Sequence, residues 1–96
     1  MYNAVMIDKK DNVAVAIEPL SCGDTVMFLR DGVPVSVCAK TDISIYHKLA
    51  VCDIPQGHPV VKYGEHIGLA SCPIQAGEHV HVHNVEAHRE DLSSQV

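Results

Sequence analysis

Apolar and polar residues alternate with a period of two through Gly77-Glu78-His79-Val80-His81-Val82-His83-Asn84. Such alternation predicts a strand with one buried and one open face. Val80 and Val82 are expected in the core, with His79, His81 and His83 in one row on the open side. Residues two apart on a strand lie ~6.6 Å from each other, so neighbouring imidazoles reach one metal ion or one carboxylate. A helix would scatter them, because an i, i+2 pair does not share a face. The same run also reads as polar residues on an open strand face. It is not a complete metal site, which wants three or four protein ligands oriented by further hydrogen bonds.

Period-two patterning recurs along the chain. Residues 4–7 are a short apolar run, followed by a polar turn at Asp8-Lys9-Lys10-Asp11-Asn12. Val13, Val15 and Ile17 then share one face of a strand and Ala14 and Ala16 the other, until Pro19 ends it. Residues 24–30 form a further strand. Asp31-Gly32 is the strongest hairpin signal, and Val33, Val35 and Val37 alternate after it. Past Lys40 the pattern becomes short strands between glycine turns: residues 49–51, 60–64 and 65–70. Gly68 inside the last of these predicts a bend or a close backbone approach. No helix is predicted before residue 85. Residues 86–96 are polar and read as a frayed helix or a tail.

A spacing of apolar, two residues, glycine, two residues, apolar occurs three times, as Leu20…Gly23…Val26, Ile54…Gly57…Val60 and Ile74…Gly77…Val80. Ile43…Tyr46…Leu49 repeats it with tyrosine in the glycine slot. The chain is expected to leave the core, turn tightly and return, with glycine tolerating the positive φ of such turns. These features together predict a compact all-β domain of many short strands over residues 1–85, with residues 86–96 as a polar tail or linker.

At 96 residues the chain has room for one domain with a modest core. Its formal net charge is −5, and no basic stripe is present, which argues against a nucleic-acid partner. No apolar run is long enough to span a bilayer, and the first residues carry no basic-then-apolar leader pattern. Cys22, Cys38, Cys52 and Cys72 form no Cys-x-x-Cys pair. The expected setting is a reducing cytoplasm, with the cysteines as small core or turn residues, although their number also permits two disulfides.

Four motifs in order carry a resemblance to a known family. They are His47-Lys48-Leu49-Ala50, Asp53-Ile54-x-x-Gly57, Val61-Lys62-Tyr63-Gly64-x-x-Ile67-Gly68-x-Ala70, and Gly77-x-x-Val80-His81-Val82-His83-Asn84. The set resembles the small N-terminal domain of the altronate and galactarate dehydratase family, closely over residues 42–85 and more loosely over 4–40. The resemblance implies a β-clip fold of the SAF group. It further implies a small subunit that works with a large catalytic dehydratase subunit, since this chain has no room for the large domain's motifs. The implied activity is that of a hydro-lyase removing water from a sugar acid. Its implied cofactor is a divalent metal, iron above all, held mainly by the large subunit.

The family chemistry assigns roles to residues of this chain. The α proton of the substrate must leave to a base, the β hydroxyl must leave with help from an acid, and the developing enediolate needs a cation or strong donors. Histidine, with a reference pKa of ~6.5, suits both proton transfers. His81 and His83 are the expected catalytic residues and the expected metal contacts, and His79 is the weakest of the three. His47, Lys48, Lys62, Tyr63 and Asn84 are the expected substrate-binding residues. A capped turn at His47-Lys48, a surface ion at Lys62 and a rim aromatic at Tyr63 are their structural alternatives. His58, His66 and His88 have no motif support and read as surface residues. Two other functions fit the same resemblance: the small subunit of a sulfolactate sulfo-lyase, and a non-catalytic SAF module that binds a sugar acid or a protein. In isolation the chain is also a candidate to self-associate through edge strands.

Overall fold

The computed structural model of the protein describes residues 2–86. Nine strands are found there: β1 (Ala4–Val5), β2 (Val13–Ala16), β3 (Thr25–Arg30), β4 (Val33–Cys38), β5 (Lys48–Ala50), β6 (Pro59–Lys62), β7 (Glu65–Ala70), β8 (His79–Val80) and β9 (Val85–Glu86). No helix occurs among the described residues, so none is long and apolar enough to cross a membrane. All pairings are antiparallel, and the domain is all-β as expected. The expected tail falls almost wholly outside the described residues, and Glu86 closes β9.

The strands form a central sheet in the order β1-β2-β5-β8, flanked by the hairpin β3-β4 and by a three-stranded sheet β6-β7-β9. The middle strands of the central sheet, β2 and β5, carry apolar residues into clusters on both sides. Ala14, Ala16 and Leu49 pack into one apolar cluster with Val26, Phe28 and Ile43. Val13 and Ala50, next to them in the same strands, pack into a second cluster with Ile54, Val60, Ile74 and Val80. Side chains of a strand alternate faces, so one strand can serve two cores. Ala14 and Ala16 are accordingly fully buried, while Ile17, just past the end of β2, is exposed.

The recurrent spacing is the frame of the fold. All eight apolar ends, Leu20, Val26, Ile43, Leu49, Ile54, Val60, Ile74 and Val80, are buried. Each middle residue has positive φ: Gly23 at 96°, Tyr46 at 68°, Gly57 at 84° and Gly77 at 93°. Each donates its backbone N–H to the carbonyl of a buried alanine: Gly23 to Ala39, Tyr46 to Ala16, Gly57 to Ala70 and Gly77 to Ala50, at 2.7–2.8 Å. The turns also bridge in pairs, Leu20 with Ile43 and Ile54 with Ile74. The chain thus runs twice through one scheme of strand, turn, hairpin, turn and strand, with β5 common to both halves.

Two hairpin tips follow from positive-φ pairs. Asp31 and Gly32, at φ 51° and 80°, join β3 to β4, and Tyr63 and Gly64, at 56° and 74°, join β6 to β7. Two positive φ values in a two-residue loop match the right-handed twist of the strands it joins. Gly68 has the close approach expected of it, since a Cβ there would lie 2.6 Å from Val85 Cγ1 and 2.7 Å from the Glu86 carbonyl oxygen. The four cysteines are exposed and unpaired, which makes them turn and rim residues rather than core residues.

Candidate functional site

Strands β5 and β8 meet with Leu49 opposite His79 and Lys48 opposite Val80. Carried one residue further, that register sets His47 against position 81. The rings of His47 and His81 are stacked, with centroids 4.3 Å apart and planes at 17°. His47 Nδ1 and His79 Nε2 lie 2.8 Å apart in a hydrogen bond, one ring nitrogen donating to the other. One ligand nitrogen from each of His47, His79 and His81 falls within 4.8 Å of the others. The long histidine strand predicted from alternation is not present. Strand β8 stops at Val80, and residues 81–84 form a turn closed by the Asn84 N–H donating to the His81 carbonyl at 3.1 Å.

That turn corrects two expectations. Val82 is 81% exposed instead of buried, because the chain has left the sheet before reaching it. His79 stands at the centre of the group rather than at its margin. It stacks on His47 and His81 with centroids at 5.0 and 5.5 Å, and its backbone N–H donates to Thr41 Oγ1 at 3.1 Å. His83 is exposed, with its ring 5.2 Å from that of His79 and tilted by 36°.

Asn84 is the buried residue that makes the turn. Its Oδ1 accepts from the His81 N–H at 3.0 Å and its Nδ2 donates to the His79 carbonyl at 2.8 Å. With both ends of the amide engaged by the backbone, Asn84 orients its histidine neighbours. A buried amide is retained where every polar atom finds a partner.

Beside the histidines a cleft of about 240 Å³ is lined by Lys48, Ile67, His81, Val82, Val85 and Glu86. Burial holds the Lys48 amine below its usual range, and the Lys62 charge lowers it further. Lys62 therefore belongs to the same electrostatic neighbourhood. Its ammonium also lies 4.8 Å from the centre of the Tyr63 ring. Of the predicted residues, His47, Lys48, His79 and His81 are brought together, with His83 and Lys62 adjoining. Tyr63 is an exposed hairpin-tip residue. Thr41 and Glu86 were not expected here, and no local motif in the sequence points to either.

Burial lowers the pKa of His79, and the charges of His47, His83, His81 and Lys48 lower it further. His81 is lowered by desolvation and then by His47, Lys48 and His83. Neutral imidazoles are the form that accepts a proton or binds a metal. The shifts also set a stability trend. Groups held below the ordinary value of 6.5 take up protons more readily in the unfolded chain than in the fold. Stability is therefore fully present above pH 6.5 and is lost as the pH falls through the lowered values. Urea midpoints measured in chelator are expected to drop between pH 7.5 and 5.5, and to drop less in His79→Gln. A wild-type midpoint that is level or rises over that window contradicts this account.

The donor set is compatible with a transition metal. Nitrogens bound at ~2.1 Å in tetrahedral geometry stand about 3.4 Å apart, and the three ligand nitrogens here lie within 4.8 Å of one another. An all-imidazole group suits iron, zinc, copper or nickel better than magnesium or calcium.

The model of the altronate/galactarate dehydratase SAF domain matches residues 2–88. The chain belongs to that family. It is 37% identical to altronate dehydratase of Bacillus subtilis over 92 residues, which cover 96% of this chain and 18% of that protein. Against altronate dehydratase of Escherichia coli it is 40% identical over 88 residues, or 92% of this chain and 17% of that protein. It is also 48% identical over 50 residues to (2R)-sulfolactate sulfo-lyase subunit alpha of Chromohalobacter salexigens, covering 52% of this chain and 53% of that one. This SAF domain thus spans less than a fifth of the altronate dehydratases it matches. Its histidine group lies at the junction of β5 and β8, where its two structural halves meet.

Proposed function

We propose that this SAF domain is the small subunit of an altronate-type sugar-acid dehydratase, and that it supplies one wall of a site shared with a large catalytic polypeptide. The observation that supports this reading most directly is the gathering of His47, His79 and His81 beside Lys48 on an open face. The cleft is shallow, and a second wall is needed to exclude water from the reaction.

Each residue has a task in this scheme. Lys48 and Lys62 hold the substrate carboxylate by charge. A neutral imidazole, His81 foremost, accepts the α proton or returns one to the leaving hydroxyl. His47, hydrogen-bonded to His79, fixes which ring nitrogen of the pair carries the hydrogen. Asn84 sets the direction of His81 through the turn. In an alternative use of the same group, His47, His79 and His81 would hold a divalent metal such as ferrous iron, with His83 nearby and the remaining ligands on the large chain; their lone pairs would then be committed to the ion, and the proton-transfer group would lie on that chain. When bound, that ion supplies Lewis acidity toward the carboxylate.

The match to sulfo-lyase subunit alpha, at higher identity over a shorter stretch, favours a second reading in which sulfite leaves from sulfolactate. Mixing the purified chain with the large dehydratase polypeptide and ferrous iron, then offering altronate, galactarate and sulfolactate, separates the two. Turnover of a hexonate or hexarate by the mixture and by neither chain alone is expected. Turnover of sulfolactate only would install the second reading. Equal rates with and without this chain would remove both, leaving a non-catalytic binding module.

A further inference from the structure

Tyr46 occupies a slot that three glycines fill elsewhere in the same molecule. Its φ of 68° is one that bulky residues rarely adopt. Tyr46 is 72% exposed, so packing within the domain does little to offset the backbone strain. Strained backbone of this kind clusters at active sites, ligand clamps and switch regions. Tyr46 also sits directly before His47. Its N–H donates to the Ala16 carbonyl, and the Ala16 N–H donates to the His47 carbonyl, which sets Ile17 alongside the turn. Ile17 and Ile45 are 44% and 39% exposed. An aromatic ring on a stiff turn, flanked by exposed aliphatic residues, has the make-up of an interface anchor, since little freedom remains to be lost on docking.

We propose that Tyr46, with Ile17 and Ile45 beside it, anchors this domain to the remainder of a dehydratase polypeptide and thereby seals the histidine face. The occupant follows from chain length: the domain covers only 17–18% of the altronate dehydratases it matches, so most of such a polypeptide lies outside it. The proposal rests on the shared-site reading above and names the contact that would create that site.

Calorimetric titration of the 96-residue chain against a purified large dehydratase polypeptide lacking its own SAF domain tests it, together with thermal melts and sedimentation of the chain alone. Tyr46→Phe is expected to bind within about threefold of wild type. Tyr46→Gly and Tyr46→Ala are expected to bind at least tenfold more weakly. The Gly variant should melt no lower than wild type, and up to ~4–8 °C higher where strain is relieved. Weaker binding with an unaltered melt separates a lost contact from a damaged fold. Wild-type affinity in Tyr46→Gly, alongside normal turnover by the mixture, overturns the anchor and leaves the shared site standing. Tenfold weaker binding in a mixture that dehydrates no sugar acid supports the anchor while the dehydratase reading falls. Absence of any binding by wild type overturns both. Self-association of wild type that Tyr46→Gly abolishes makes a second copy the occupant and overturns the proposal as stated.

Discussion

Gly77→Ala is expected to destabilise the fold severely. A Cβ at this position would lie 2.0 Å from the Cys38 carbonyl oxygen and 3.1 Å from its carbon, distances at which backbone must move. Movement is blocked from two directions, because the Gly77 N–H donates to Ala50 at 2.8 Å and its carbonyl accepts from Lys40 at 2.9 Å. The φ of 93° adds a second penalty for any residue with a Cβ. The sum should exceed ~4 kcal/mol, a large part of the 5–15 kcal/mol that holds a typical domain together. Gly57→Ala is the matched control. It has a similar φ of 84° but nothing within 4 Å of the added carbon, so it should lose only ~1–2 kcal/mol. Urea denaturation followed by circular dichroism reads both. Equal midpoints for the two variants would mean that the Cys38 contact relaxes freely.

The other large effect concerns catalysis. In the reconstituted pair, His81→Ala and His47→Ala are each expected to lower kcat by ~10²–10⁴, the usual contribution of a positioned proton-transfer group. His47 matters as much as His81 because it hydrogen-bonds His79 and stacks on His81. His83→Ala should lose less, since its exposed ring meets only the edge of the group. The double variant His47→Ala/His81→Ala should fall well short of the product of the single losses if the imidazoles act as a unit. Wild-type turnover by His81→Ala would exclude the histidine face from the chemistry.

Much of this was legible in the sequence. Four turns of one internal spacing, a hairpin at Asp31-Gly32 and period-two patterning defined an all-β domain, and the four ordered motifs identified the family. Residues bearing the candidate site were also within reach, including His47 and Lys48. Their arrangement was not. Alternation at residues 77–84 resembles one long strand, yet Asn84 folds back to bond both His79 and His81, and a buried side chain of that kind leaves no periodic trace. The central position of His79 among the rings was missed for a related reason. Its place depends on β5 pairing with β8, a contact across some thirty positions that no local pattern encodes. The small alanines of β2 likewise gave no hint that they, rather than Ile17, are core, because sequence alternation does not reveal that both faces of a strand are covered.

The two apolar clusters share the strands between them, and that sharing limits how the molecule can come apart. Loosening either cluster pulls on residues whose immediate neighbours hold the other, so neither half has a separate melting step open to it. His47 directly precedes β5, one of those shared strands, and His79 lies in β8, which pairs with it. The imidazole trio should accordingly vanish or persist as one body, with no partly unravelled form that keeps one ring in place and lets the rest go.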